Sequence, residues 1–260
     1  MARMTDRVVL ITGAGSGLGR ATAVQLAREG ALLSLVDVSA EGLDATVAAV
    51  TDAVAGAATL SVVADVASEP DTQRYVDETV QRFGRIDGFF NNAGVEGKQN
   101  LTESFTSAEF DRVLAINLRG VFLGLEKVLG VMRGQGSGAV VNTASVGGIR
   151  AIGNQSGYAA AKHGVVGLTR NSAIEYAEFG IRVNAIAPGA IWTPMVEGSF
   201  RQIDAENPDA VAHQFIQANP TKRYGRAEEI GTVVAFLLSD EASYVNAVVL
   251  PIDGGQSAKY

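Results

Sequence analysis

The chain has 260 residues, of which 47% are hydrophobic and 19% charged, so it has enough apolar material for a sizeable core and too little charge for a disordered chain. It contains no cysteine and only two histidines, which excludes disulfides, thiol nucleophiles and cysteine-based zinc or iron–sulfur sites and leads us to expect no metal centre. Its 21 basic and 28 acidic residues give a formal net charge of −7, and a net acidic chain without a basic run argues against nucleic acid as a partner.

Short β-branched or aromatic runs alternate along the chain with longer segments of helical apolar spacing. The runs lie at 8–12, 32–37, 60–65, 86–91, 139–143, 182–187 and 247–252. The longer segments lie at 17–29, 40–55, 69–83, 107–133, 156–178 and 226–238. Strands that alternate with helices predict the α/β class, with a doubly wound, seven-stranded parallel sheet covered by helices on both faces. We therefore expect a single-domain Rossmann fold that spans residues 1–260.

Two segments depart from this rhythm. Residues 1–6 are polar, and the run 8–12 that follows is too short for a signal peptide or a membrane span, so we expect a cytoplasmic protein that does not associate with membranes. Segment 190–222 is polar and contains several prolines, which is typical of a lid or binding loop inserted in a compact domain. We expect it to cover the substrate.

A glycine-rich loop, Gly13–Gly19, joins the first predicted strand to the first predicted helix. Glycine lets the chain turn sharply and lets the backbone approach a ligand closely. The helix N-terminus behind the loop offers free N–H groups and the positive end of a dipole, which suits a pyrophosphate. An ordinary glycine-rich turn is the alternative, but the position between strand and helix favours a dinucleotide site.

The second predicted strand ends in Asp37. A carboxylate at this point can accept hydrogen bonds from both hydroxyls of the adenosine ribose, and it would repel a 2′-phosphate. The nearby positions Ser16, Val38 and Ser39 carry no Arg or Lys. These residues predict NAD(H) rather than NADP(H) as the cofactor, although Asp37 could also be a helix cap or a solvated loop carboxylate.

Ser145 follows the fifth predicted strand, and Tyr158 and Lys162 follow it on the next predicted helix. Residues four positions apart share one face of a helix, so the ammonium should favour the phenolate of Tyr158 and lower its pKa. The pair could then act as acid or base near neutral pH, while Ser145 donates a hydrogen bond to a substrate oxygen. A Tyr–Lys pair alone is weak, since it also occurs by chance on helix surfaces, but its combination with the glycine loop and Asp37 is specific.

The variant glycine spacing Thr12-Gly-x-x-x-Gly-x-Gly19, together with Ser145, Tyr158 and Lys162, resembles the short-chain dehydrogenase/reductase family from about residue 6 to residue 257. The resemblance implies an NAD-dependent enzyme that interconverts a ketone and a secondary alcohol by hydride transfer, with Tyr158 as the acid/base. It implies that Lys162 also holds the nicotinamide ribose, that Ser145 orients the substrate oxygen, and that Asn117 takes part in a water-linked proton relay with Lys162. It further implies a homotetramer built on the helices 107–133 and 156–178, which could otherwise simply be buried within one subunit.

The resemblance also assigns a set of cofactor-binding positions. These are Gly13, Ser16, Gly17, Leu18, Gly19, Asp37, Val38, Asp65, Val66, Asn92, Ala93, Gly94, Tyr158, Lys162, Pro188, Gly189, Ile191 and Thr193. Asp65 and Val66 are expected at the end of the third strand, against the adenine, and Ile191 and Thr193 against the nicotinamide carboxamide or the diphosphate.

The substrate is expected to be a small neutral ketone or alcohol. The pocket should use Ser145, Gly147, Gln155, Glu96, Trp192 and Met195, and most of these are apolar or carry an amide. Trp192 and Met195 could equally belong to the core of the lid. Because the segments around these positions resemble family members that reduce ring carbonyls, we expect a cyclic ketone or diketone.

Three alternatives remain at this point. The enzyme could oxidise another cyclic or aryl secondary alcohol, such as an amino alcohol, a steroid or a polyol. A catalytically inactive NAD-sensing protein of the same fold is less favoured, because such a protein would be expected to lose Tyr158 or Lys162. A methyltransferase of similar fold has no use for these two residues together with Ser145.

Overall fold

The β-branched runs form a single parallel sheet in the computed structural model, which describes residues 2–259. Its strands are β1 (Val8–Thr12), β2 (Leu32–Asp37), β3 (Thr59–Val63), β4 (Gly88–Asn91), β5 (Gly138–Thr143), β6 (Ile181–Pro188) and β7 (Val249–Ile252). They lie in the order β3-β2-β1-β4-β5-β6-β7, and every neighbouring pair is parallel. The predicted seven-stranded, doubly wound Rossmann architecture is confirmed.

Helices cover both faces of this sheet. They are α1 (Gly17–Arg28), α2 (Ala40–Ala53), α3 (Glu69–Phe83), α4 (Ser107–Leu114), α5 (Gly120–Gln135), α6 (Ser156–Tyr176), α7 (Pro194–Ile203), α8 (Pro208–Gln217) and α9 (Ala227–Leu238). Side chains alternate across the strands, so Val9 and Ile11 of β1 join a core with α1, α2 and α9, while Leu10 joins a second core with α3, α5 and α6. The central strands β1, β2, β4, β5 and β6 are buried on both faces, which explains why their runs in the sequence are largely apolar.

Several element boundaries differ from the sequence-based expectation. Strand β3 ends at Val63 rather than at residue 65, because the Asp65 carboxylate accepts a hydrogen bond from the Ala67 N–H and starts a turn. The helix expected at 107–133 is divided by a π-helical segment, Ala115–Arg119, between α4 and α5. The expected lid 190–222 contains α7 and α8.

The chain reverses its direction of travel across the sheet at β1, which lies between β2 and β4. In sheets of this kind, ligands bind in the crevice outside the carboxyl ends of the strands at such a switch point. The Thr12 hydroxyl at the end of β1 accepts hydrogen bonds from the N–H groups of Asn92 (3.0 Å) and Ala93 (3.2 Å). These bonds fix the segment after β4 against the segment after β1. None of the helices within residues 2–259 has the length and apolar composition needed to span a bilayer.

Candidate active site

A cavity of about 300 Å³ opens at the carboxyl ends of the strands, on the switch point. It is lined by Gly13, Ser16, Gly17, Leu18, Asp37, Asn92, Ala93, Gly94, Thr143, Ala144, Ser145, Tyr158, Lys162, Pro188, Gly189, Ile191, Thr193, Pro194, Met195 and Val196. Most of the predicted cofactor-binding positions are therefore brought together with three of the four predicted catalytic residues. Thr143, Ala144 and Pro194 were not predicted, and the only signal for them in the sequence is that they adjoin predicted positions.

The glycine loop turns where only glycine fits. Gly13 has a φ of +64°, and a Cβ on it would lie 2.8 Å from the Cα of Ala93. A Cβ on Gly19 would collide with the carbonyl of Gly13, so Gly19 allows α1 to begin directly behind the loop. Bare backbone at the start of a helix, next to a cavity, is an environment that suits a pyrophosphate.

The Asp37 carboxylate is held at the edge of the cavity by two backbone groups. Oδ2 accepts a hydrogen bond from the Gly15 N–H and Oδ1 accepts one from the Ser39 N–H, each at 2.9 Å. Each carboxylate oxygen has a second lone pair, so Asp37 can still accept hydrogen bonds from a ligand. The two remaining acceptor positions of the carboxylate fit the hydroxyls of an adenosine ribose.

Four predicted cofactor positions do not line the cavity. Gly19 lies behind the loop, and Val38 is two-thirds exposed (66%) directly after Asp37. Asp65 and Val66 lie at the same edge of the sheet, next to Ala64, whose N–H donates to the Asp37 carbonyl at 2.9 Å. Contacts of these residues with an adenine remain a prediction.

Ser145, Tyr158 and Lys162 meet on one wall of the cavity. Ser145 is 9% exposed beyond the end of β5, and its Oγ accepts a hydrogen bond from the Gly147 N–H at 3.0 Å. Tyr158 and Lys162 lie one turn apart on α6. Lys162 is 3% exposed and donates from Nζ to the Thr143 carbonyl at 2.7 Å. The ammonium is held beside the tyrosine, with Nζ 5.6 Å from the centre of the ring.

The expected lowering of the Tyr158 pKa is wrong for this structure. Burial raises the pKa of the Tyr158 phenol, and the negative charge of Glu96 raises it further, while a hydrogen bond with Ser145 opposes the change. Burial also lowers the pKa of Lys162 to about 8. Desolvation disfavours the charged form of both groups, and the main hydrogen bond of Lys162 goes to Thr143 rather than to the phenol.

Asn117, the fourth predicted catalytic residue, lies in the π-helical segment and is fully buried. Its Oδ1 accepts from the Val95 N–H at 2.8 Å, and its Nδ2 donates to the Val95 carbonyl at 2.6 Å. Both ends of the amide are therefore used to hold the chain after β4. The expected relay with Lys162 remains a prediction, and these contacts do not include Lys162.

The predicted substrate residues are placed unequally around the cavity. Ser145 and Met195 line it, whereas Gly147 is buried and does not line it. Glu96 Oε1 accepts hydrogen bonds from Gln155 Nε2 and, at 2.8 Å, from the hydroxyl of Ser199 on α7. Burial raises the pKa of Glu96, which has only neutral hydrogen-bond donors here. Glu96 and Gln155 thus join the lid to the start of α6.

Trp192 packs in an aromatic cluster formed by the expected lid and the segment directly after it. Its ring lies 5.0 Å from that of Tyr224, edge-on, and 6.4 Å from that of Phe200, centre to centre. Phe200 in turn packs against Phe215 at 5.6 Å. Met195 lines the cavity and Trp192 packs against Tyr224 and Phe200, and contact of either residue with a substrate remains a prediction.

Known proteins resemble this chain over nearly its whole length. A family model described as enoyl-(acyl carrier protein) reductase matches residues 13–257. Levodione reductase from Leifsonia aquatica is 74% identical over 99% of this chain and 97% of its own. Cyclohexanol dehydrogenase from Acinetobacter sp. (strain SE19) is 39% identical over 99% of this chain and 97% of its own.

Solved structures show the same relationship in three dimensions. A crystal structure of levodione reductase, 74% identical, superimposes with a TM-score of 0.99 and covers 99% of this chain and 100% of its own. An NAD⁺-bound xylitol dehydrogenase, 39% identical, superimposes with a TM-score of 0.91 and covers 97% of this chain and 100% of its own. With the glycine loop and the Ser–Tyr–Lys wall at one cavity, these similarities show that the chain belongs to the short-chain dehydrogenase/reductase family of oxidoreductases.

Proposed function

We propose that this chain is an NAD(H)-dependent oxidoreductase that interconverts a neutral cyclic ketone or diketone, such as levodione, with the corresponding secondary alcohol. The observation that carries the proposal is the convergence of Ser145, Tyr158 and Lys162 on the cavity that also contains the glycine loop and Asp37. The 74% identity to levodione reductase supports the choice of substrate.

Each residue of the proposed site would have a separate role in the reaction. A bound nicotinamide supplies or accepts the hydride. Tyr158 gives a proton to the carbonyl oxygen in reduction and takes the alcohol proton in oxidation, and Ser145 holds that oxygen by a hydrogen bond. Lys162 has three N–H donors and uses one on Thr143, so two remain for the hydroxyls of the nicotinamide ribose. The glycine loop, Asp37 and the segment Pro188–Thr193 would hold the rest of the cofactor.

The preference for NAD(H) over NADP(H) follows from Asp37. Its fixed carboxylate favours ribose hydroxyls and repels a 2′-phosphate, and the exposed Val38 beside it carries no compensating charge. The NAD⁺-bound state of the xylitol dehydrogenase relative supports this choice.

The substrate side of the proposal is a neutral pocket under a lid. Met195 and Val196 of α7 line the cavity, and Glu96 ties α7 to the start of α6, so segment 190–222 would act as the lid of a single catalytic domain, 1–260. The half-buried Glu96 carboxyl would disfavour an anionic substrate. The runner-up is a dehydrogenase of another cyclic or aryl secondary alcohol, and the cyclohexanol dehydrogenase relative favours it.

The test is NADH oxidation with levodione, monocyclic ketones, aryl ketones and sugars, with NADPH as the control cofactor. We expect the highest kcat/KM for NADH with a cyclic diketone. A higher kcat/KM with an aryl ketone or a sugar would favour the runner-up, and a preference for NADPH would contradict the role of Asp37. Tyr158→Phe should abolish turnover while NADH still binds, and substantial residual activity would contradict the role of Tyr158.

A homotetramer and a cytoplasmic location are part of the same proposal. A shallow, open depression formed by α4, the π-helical segment, α5 and α6 is lined largely by apolar side chains, and Phe122 on α5 is 49% exposed. Apolar surface of this kind is typical of a subunit interface. Analytical ultracentrifugation should show four chains, and a monomer at micromolar concentration would contradict the assembly.

A further inference from the structure

Arg20, in the first turns of α1, spans the gap between the glycine loop and α2. Its Nη2 donates to the Gly15 carbonyl and, at 3.4 Å, to the Gly42 carbonyl. Its Nε donates to the Thr46 hydroxyl at 3.0 Å. All three acceptors are neutral oxygens, so the guanidinium serves here as a rigid, forked hydrogen-bond donor rather than as half of an ion pair.

The bond to Gly15 sets the orientation of the following peptide unit. In a trans peptide the C=O of one residue and the N–H of the next point in opposite directions, and residues 2–259 contain no cis peptide bond. With the Gly15 carbonyl turned towards Arg20, the Ser16 N–H points away from it, and Ser16 lines the cavity. The preceding N–H, that of Gly15, is held by Asp37. Arg20 and Asp37 thus fix Gly15 from both sides.

The other arm of Arg20 fixes α2 against the same loop. Thr46 is fully buried, and its hydroxyl also donates to the Ala14 carbonyl at 2.8 Å. A Cβ on Gly42 would lie 3.0 Å from the Gly15 carbonyl, so helix and loop are in direct contact. Since α2 begins at Ala40, directly after the segment that holds Asp37, a shift of α2 would move the Asp37 carboxylate relative to the loop.

We propose that Arg20 is a positioning residue for the cofactor: it presets the Gly15–Ser16 peptide and the spacing between the loop and Asp37, and thereby determines affinity for the adenosine diphosphate portion of NAD(H). This inference rests on the proposed function, because it assumes that the cavity binds NAD(H). Arg20 lies behind the loop and acts through Gly15 and Thr46.

The test uses three variants of α1. Arg20→Met removes the fork, Arg20→Lys keeps the charge but replaces the rigid fork with a flexible amine, and Arg28→Met removes an exposed arginine from the same helix as the matched control. The dissociation constant of NADH is measured by its fluorescence without ketone. The KM for NADH, kcat at saturating NADH and the thermal midpoint are measured in parallel.

For Arg20→Met we expect the dissociation constant and the KM of NADH to rise roughly tenfold, with kcat at saturating NADH unchanged. Arg20→Lys should lie between this variant and wild type, and Arg28→Met should match wild type. NADH affinity in Arg20→Met equal to that of Arg28→Met would overturn the proposal. The proposal would also be overturned if Arg20→Lys lowered kcat and the thermal midpoint but left the KM for NADH normal. If Arg20→Met does not fold, the result for Arg20→Lys decides the test. Failure of the proposed function gives a different result, because wild type itself would then not bind NADH.

Discussion

Replacement of Lys162 by Met should stabilise the protein while it destroys the activity. Lys162 is 3% exposed, and burial lowers its pKa from 10.5 to about 8. At about 1.4 kcal/mol per pKa unit, the native state bears a cost of roughly 3 kcal/mol for keeping this group charged at neutral pH. Methionine has a similar length and carries no charge, so the variant removes that cost.

A lost hydrogen bond offsets part of the gain. The bond from Lys162 to the Thr143 carbonyl comes from a charged donor, and such bonds contribute about 1.5–3 kcal/mol. The net expectation for Lys162→Met is an increase of about 1 kcal/mol in the free energy of unfolding at pH 7, or roughly 2–4 °C in Tm.

The stability difference between Lys162→Met and wild type should change with pH in a definite direction. Below pH 8 Lys162 is charged in both the folded and the unfolded state, so wild type carries the full cost. Between about pH 8 and 10.5 the folded protein releases the proton and the unfolded chain keeps it, so wild type gains stability as the pH rises. The advantage of Lys162→Met should therefore shrink from pH 7 to pH 9.5.

Urea unfolding followed by circular dichroism measures the difference at both pH values. Trp192 is unsuitable as a fluorescent probe, since it is 42% exposed in the lid and would report local opening. Lys98→Met, at an exposed lysine, is the control and should change little. A Lys162→Met protein that is less stable than wild type at pH 7, or an advantage that grows with pH, would refute the reasoning.

Three further predictions concern the glycine loop, Asp37 and Tyr158. Gly19→Ala should lower the free energy of unfolding by about 2 kcal/mol and weaken NADH binding, because its Cβ meets the Gly13 carbonyl; wild-type values in urea unfolding and fluorescence titration would contradict this. Asp37→Ala should raise the ratio of kcat/KM for NADPH to that for NADH by about tenfold, because a repulsive charge is lost, and an unchanged ratio would count against the ribose contact. Because burial raises the pKa of Tyr158, alcohol oxidation, which needs its deprotonated form, should accelerate as the pH rises above neutrality, and a flat pH–rate profile would argue against Tyr158 as the base.

The fold could be predicted because its cause is local. The central strands are buried on both faces, so they appear in the sequence as short, largely apolar runs, whereas the edge strands β3 and β7 are only partly buried. The alternation of all seven runs with helical segments indicates the parallel sheet. Strand and helix ends were less predictable, because single side chains decide them. Asp65 ends β3 early by binding the backbone two residues on.

The candidate site likewise has parts that could be predicted from the sequence and parts that could not. The glycine loop, Asp37 and the Tyr158–Lys162 pair depend on residues close in sequence, so their spacing alone points to them. The bond between Glu96 and Ser199 joins residues 103 positions apart, and nothing in the spacing indicates it. The pKa of Tyr158 depends on burial, which a one-turn separation from Lys162 does not reveal.

The π-helical segment Ala115–Arg119 joins α4 and α5 into one continuous helix. It changes the direction in which the side chains of α5 point relative to those of α4. A π turn holds an extra residue, so the residues after it are rotated by about 100° relative to a regular α-helix. This rotation lets α4 pack on α6, which carries Tyr158 and Lys162, while α5 packs on α3 and the sheet. The number of residues in this segment places Asn117 opposite Val95, where its side-chain amide can bond to the Val95 backbone. Deletion of a single residue from this segment would rotate the side chains of α5 away from α3 and the sheet.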